Sequence, residues 1–128
     1  MLSTSRSFLP RDASPAEARA WARSSLRSGG IAGVDVGDVL LVVSELVTNA
    51  VRHGSGAVDV ELRVEGDAVG VGVHDSGRVF TPPPPGAPDG AGGRGLFLVA
   101  AISRQWGIEA SASGKTVWAR VPLPGPTR

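Results

Sequence analysis

The sequence predicts an α+β fold, a two-layer sandwich of a mostly antiparallel sheet with helices on one face. Three observations point to it. Two paired runs of alternating apolar residues, 58–74 and 106–123, each have the form of a β-hairpin. Three segments, beginning near residues 14, 36 and 94, carry helical spacing. The two kinds segregate along the chain in the order β-α-α-β-β-loop-α-β-β, which suits layers better than parallel crossover units.

The elements follow in order. "SRSFL" (5–9) has the form of a short strand. In "DASPAEARAWARSSLRSGG", Ser14 stands as N-cap, Pro15 at the first helical position and Glu17 as the partner of a capping box. Ala16, Ala20, Trp21 and Ser24 share a face, and Gly29-Gly30 ends the helix. Asp35 caps a second helix over 36–53, with Val39, Val42, Val43, Leu46 and Ala50 as its apolar stripe, and Gly54-Ser55-Gly56 stops it. "VDVELRV" (58–64) and "AVGVGVH" (68–74) form a hairpin about Gly66-Asp67. The glycines at 70 and 72 imply close packing on one face of that hairpin. "SGRVFTPPPPGAPDGAGG" (76–93) lacks the donors and side chains of regular structure, and loops of this length in a compact domain are usually functional or disordered. "RGLFLVAAISRQ" (94–105) is a third helix. "WGIEASA" and "TVWARVPL" close the sheet around Ser113-Gly114, and "PGPTR" (124–128) is a fraying tail.

Composition narrows the function. A chain of 128 residues fits one domain, 1–128, with one core. Hydrophobic residues at 41% and charged residues at 20% are ordinary for a globular protein. A net charge of +1, with basic residues scattered, gives no case for nucleic acid or an anionic membrane. There is no cysteine, so disulfides and thiolate metal sites are excluded. The start lacks a signal-peptide apolar region, and the longest apolar run, "VLLVV", is too short to span a bilayer. These features predict a cytoplasmic protein.

Four short motifs carry chemistry. Glu45, Asn49 and His53 form an i, i+4 row on the second helix, about 6 Å apart. Such a row is either a solvated edge or a site; His53 alone fits a packed or capping group better. Asp75 in "HDSG" leaves a strand, where an Asp serves turn chemistry or accepts a hydrogen bond from an exocyclic amine, with Gly77 letting a flat ring approach. "GAGGRG" (90–95) has the G-x-G-x-x-G spacing, but it follows a proline-rich loop and too little chain remains for a dinucleotide fold. It fits either a flexible loop or backbone N–H groups at a helix start suited to phosphate.

The order of the motifs is more specific than any one of them. "SELVTNAVRHG", "DSG", "GGRGLFLV" and "GKTVW" resemble, in that order, the N box and three glycine boxes of the GHKL ATPases, the superfamily of DNA gyrase, the ninety-kilodalton heat-shock chaperones and sensor histidine kinases. Within it the chain is most similar to the bacterial anti-sigma-factor serine kinases, the RsbW-like group. The resemblance implies a Bergerat-type ATP-binding fold that uses ATP and Mg²⁺, with 76–93 as the ATP lid. By the same resemblance Asp75 holds the adenine amine, Gly77 admits the ring and Thr116 supports that pocket. Asn49 places an oxygen on Mg²⁺, Glu45 orients or deprotonates the attacking group, and Gly93, Gly95 and Leu96 wrap the phosphates. Arg94 reaches the γ-phosphate, a role that its guanidinium chemistry suggests. The implied function is to sequester a sigma factor and to phosphorylate a serine of a small antagonist protein. The rival is a module that binds nucleotide and captures a partner without transferring phosphate. The family often forms a homodimer. No direct nucleic-acid or membrane partner is expected.

Overall fold

The computed structural model describes residues 2–31, 33–77 and 93–125. The elements are β1 (Ser3–Phe8), α1 (Ser14–Leu26) with a wide turn at Arg27–Ile31, α2 (Gly37–His53), β2 (Val58–Glu65), β3 (Ala68–Asp75), α3 (Gly93–Ile102), β4 (Gln105–Ser111) and β5 (Gly114–Pro122). The five strands form one sheet in the order β1-β2-β3-β5-β4, and every neighbouring pair is antiparallel. The predicted α+β sandwich and its element order are therefore observed.

Alternation along the strands sends one set of side chains inward. Val58, Val60 and Leu62 of β2, Val69, Val71 and Val73 of β3, and Val117, Ala119 and Val121 of β5 are all buried. They meet α2, whose Val39, Val42, Val43, Leu46, Val47 and Ala50 are buried with them in one cluster. α2 touches both other helices and β2, β3 and β5, so it is the spine of the helical layer. Its N-cap is Val36, without a side-chain cap; Asp35, expected as the cap, is the residue before it, and its Oδ1 accepts the Gly37 N–H at 2.9 Å.

Four further local expectations need correction. Ser14 and Glu17 form no capping box. α1 has no side-chain cap, and Ser14 is fully buried, accepting the Arg11 N–H at 3.2 Å and donating to the Leu9 carbonyl. Glu17 instead pairs with Arg11 on the surface. The buried face of α1 is Ser14, Ala18, Ala22 and Leu26, because the i, i+4 row of small residues seats the helix closely on its neighbours. Ala16, Ala20 and Ser24 are exposed, and half-buried Trp21 meets Phe8 edge-on at 5.9 Å. α3 ends earlier than predicted. Ser103 N–H donates the last helical bond to Val99, and Arg104 N–H turns to the Arg120 carbonyl at 2.8 Å, joining the sheet. The Arg104 guanidinium is then held on Asp67 by two 3.0 Å hydrogen bonds, which hold the Asp67 carboxyl below its usual range. Finally, the tight glycine of the outer sheet face is Gly107, where an added Cβ would lie 3.0 Å from the Trp118 ring; Gly70 and Gly72 sit in looser contacts on the same face.

The two readings of Ser14 are separable by stability. Ser14→Ala takes the partner from the part-buried Arg11 N–H and should lower unfolding free energy by about 1–3 kcal/mol. Glu17→Ala removes a surface ion pair and should cost about 1 kcal/mol or less. Urea unfolding of both variants checks this; equal losses would restore the capping box.

Candidate functional site

Three chain segments meet at the end of the central strands. β3 runs out at Asp75, β5 begins at Gly114, and α2 ends at His53 before Gly54. The loops after α2 and β3 are tied together by the Ser76 N–H on the Ser55 carbonyl at 2.8 Å. Asp75 sits between them with 2% of its surface exposed. Its Oδ1 receives the Gly77 N–H at 2.7 Å, the Ser55 N–H at 3.4 Å and the Lys115 Nζ at 2.8 Å. Lys115 is itself fully buried. The cause is register: Asp75 lies directly opposite Lys115 across the β3–β5 ladder, so both side chains project to the helical side. A carboxylate without a cation could not be held at such burial at reasonable cost.

Glycines close in around this pair for steric reasons. A Cβ at Gly54 would lie 2.5 Å from both the Ala50 carbonyl oxygen and Asp75 Cγ. One at Gly77 would come within 2.8 Å of Asp75 Oδ1, and one at Gly114 within 2.0 Å of the Asp75 carbonyl oxygen. Gly114 also has φ 141°, which side chains resist.

The other end of the site lies up α2. Asn49 is 2% exposed, and its Nδ2 has no hydrogen-bond partner. One turn earlier, Glu45 is half-buried beneath the start of α3, where a Cβ at Gly95 would lie 2.5 Å from its Oε2. Nine residues of helix, about 14 Å, separate Glu45 from Gly54. The site is thus a strip along α2 with a carboxylate near each end and an unpartnered amide between.

The sequence-predicted residues divide accordingly. The structure brings Asp75 together with Gly77, and Glu45 with Gly95. Leu96 is buried in the core, so it has its backbone, not its side chain, to offer a ligand. His53 is exposed at the last turn of α2. Gly93 opens α3, while the Arg94 side chain and the lid segment 78–92 lie outside the described residues, as do 126–128 of the tail. Thr116 is a correction. Alternation turns its side chain to the opposite sheet face, where with Glu61, Gly72 and Trp118 it lines a shallow trough of about 460 Å³. Lys115 takes the place beside Asp75 that had been expected of Thr116. Reasoning from sequence missed Lys115, Ser55 and the steric role of Gly54. The signal for Lys115 was present: it is the charged residue in phase with Val117, Ala119 and Val121.

No cluster of three or more His, Asp or Glu suited to a metal occurs among the described residues. Mg²⁺ would not require one, since it keeps waters and draws on substrate phosphates with one or two protein oxygens. The buried amide of Asn49 offers such a ligand, since the oxygen and nitrogen of a carboxamide exchange places by a flip.

The pattern of the histidine kinase-like ATPase domain matches residues 8–121. The chain belongs to that family. Membership implies an ATP site; of the buried polar side chains among the described residues, Asn49, Asp75 and Lys115 lie on the strip along α2. No curated protein matches the chain. Among solved structures, it is similar to the RsbU and RsbW domains of Rv1364c from Mycobacterium tuberculosis, with a TM-score of 0.74, 23% identity and coverage of 100% of this chain and 34% of that one. It is also similar to the histidine kinase domain of the blue-light activated histidine kinase of Erythrobacter litoralis EL346, with a TM-score of 0.52, 22% identity and coverage of 82% and 59%. At these identities the likeness is one of fold, and this histidine kinase-like ATPase chain spans about a third of the first and three fifths of the second. No helix among its described residues is long and apolar enough to cross a membrane.

Breaking the buried pair is the sharpest test of this arrangement. Lys115→Ala leaves Asp75 buried and unpaired and should lower stability by about 3–5 kcal/mol. Gly54→Ala, pressed against backbone, should lose about 1–3 kcal/mol. By contrast, Gly95→Ala meets the end of a flexible Glu45 side chain and should move that carboxylate at little cost. Thermal unfolding of the three variants should preserve this order.

Proposed function

We propose that this chain is an ATP–Mg²⁺-binding regulatory protein of the anti-sigma type, which sequesters a sigma factor and phosphorylates a serine of a small antagonist protein. The observation that carries the reading is the strip along α2, with buried Asp75 at the strand end, the unpartnered Asn49 amide and Glu45 beneath α3, set in a histidine kinase-like ATPase domain. Likeness of fold to a protein carrying an RsbW domain supports the serine-kinase branch of that family.

In this reading Asp75 accepts the adenine amine, and Gly77, without a side chain, lets the ring lie against the backbone. Mg²⁺, held by Asn49, neutralises phosphate charge when bound. Gly93, Arg94, Gly95 and Leu96 open α3, whose backbone N–H groups and positive dipole end suit the phosphates. Glu45 takes the proton of the incoming serine hydroxyl. The serine oxygen bonds to the γ-phosphorus, the bond to the β–γ bridging oxygen breaks, and ADP leaves. The position of Glu45 on α2, one turn from Asn49, supports this assignment. A cytoplasmic location suits partners of this kind.

Two substitutions test the reading. Asn49→Leu replaces a buried, unsatisfied amide by an apolar group of similar shape, so the nucleotide-free protein should be at least as stable as wild type. Yet Mg²⁺-dependent tightening of ATP binding, read by calorimetry, should disappear. If that tightening survives, Asn49 is not the metal ligand. Glu45→Ala should retain ATP binding and partner capture while radiolabelled phosphate transfer to the antagonist serine falls about 10²–10⁴-fold. A wild type that captures a partner but transfers no phosphate would establish the pure binding module instead.

A further inference from the structure

The carboxylate that serves as base in the scheme above rests against another helix. Glu45 is half-buried on α2 and reaches the first turn of α3, where a Cβ on Gly95 would lie 2.5 Å from its Oε2 and 3.5 Å from its Cδ. We propose that Glu45 is a stand-in anion: it holds the place at the start of α3 that the nucleotide's phosphates take, and phosphate binds there by displacing it. The inference rests on the reading that the start of α3 receives the phosphates.

A helix start favours an anion for two reasons. Its first four N–H groups have no partner within the helix, and the aligned peptide dipoles leave that end positive. Gly95 is the third residue of α3, so its N–H is one of those four. The first turn of α3 contains no acidic residue of its own. Glu45 therefore supplies, from a different element, the negative charge that a helix start ordinarily draws from its own sequence. It does so with the last atom of its side chain, which approaches closely because residue 95 has no Cβ. Among the described residues no cation forms an ion pair with Glu45, so no salt bridge opposes its release.

Displacement follows from charge and space. The strip runs along α2, so a nucleotide lying on it meets α3 from the side that Glu45 covers. A phosphate oxygen in contact with Gly95 there would share the space of Glu45 Oε2, and two anions in contact repel. A triphosphate brings several charges against one and takes the helix end. Asn49 marks the same stretch independently. One turn along α2 from Glu45 and 2% exposed, it has an Nδ2 without a partner, which a ligand's oxygen would satisfy. The consequence is a built-in order of events. Glu45 is held on α3 until phosphate arrives, and is then freed to turn to the serine.

The test uses the intact protein and three probes, tripolyphosphate, ATP and adenosine, with Mg²⁺ throughout and affinities from calorimetry. Glu45→Gln keeps the shape and removes the charge, so tripolyphosphate and ATP should bind about three- to thirtyfold more tightly than to wild type, with adenosine unchanged. Glu45→Asp keeps the charge but is one methylene too short to reach α3. It should bind tripolyphosphate within about twofold of Glu45→Gln. If Glu45→Asp binds as weakly as wild type while Glu45→Gln gains, charge in the site is sufficient and the contact with α3 is overturned as the cause. Equal tripolyphosphate affinities in all three proteins would overturn displacement and leave the phosphate site standing. A gain for adenosine as large as that for tripolyphosphate would also overturn it, because the substitution would then have reshaped the whole strip. If tripolyphosphate binds none of the three, the phosphate reading of α3 fails and this inference falls with it.

Discussion

The ion pair between Asp75 and Lys115 organises the rest of the molecule around the strand ends. Two opposite charges with side chains 1% exposed must stay within hydrogen-bond reach, because either alone would be expelled toward water. They do so only in the observed β3–β5 register. A slip of one residue would turn Lys115 to the outer face and bring Thr116 inward, reversing every buried valine of β5 as well. Charge and apolar packing therefore specify the same alignment of the two central strands. The turn at Gly114 and the ends of α2 and β3 have to fit around that pair, and glycine is the residue that leaves the space.

α2 serves two demands at once. Its apolar face builds the centre of the core, and the border of that face carries Asn49 and Glu45. An unsatisfied amide nitrogen at 2% exposure is a local loss of stability in the protein as it stands. Such exceptions to polar satisfaction concentrate where a ligand completes the hydrogen bonding. Rigidity comes from the same source: a side chain on a helix packed against three strands and two helices has little freedom to leave its place. The approach of α3 is equally constrained, since a glycine at 95 lets its first turn rest on the Glu45 carboxylate.

Much of this was legible in the sequence. Hydrophobic periods of two and near 3.6 named the strands and helices and their order, because alternation and helical spacing are local properties of a chain with one buried face. The border position of Asn49 and Glu45 followed from the same helical arithmetic, as did the strand-end position of Asp75. Their separate signals were weak, and it was the order of four motifs that made them specific. The turn that Asp35 makes ahead of α2, its Oδ1 accepting the Gly37 N–H, is local in the same way.

What tertiary structure decided was every feature that depends on two distant segments meeting. Ser14 looks like an N-cap in isolation, but folding buries it under Leu9 and Arg11, where its hydroxyl serves the incoming chain. The end of α3 was set by Arg104 joining β5 and Asp67, a contact that helical spacing could not foresee. Lys115 is the clearest case. The sequence by itself determined that Lys115 and Thr116 point to opposite faces of β5. That Lys115 lies opposite Asp75 was decided only when β3 and β5 paired, forty residues apart, because a side chain's partner in a sheet is set by the register between strands and not by the strand that carries it.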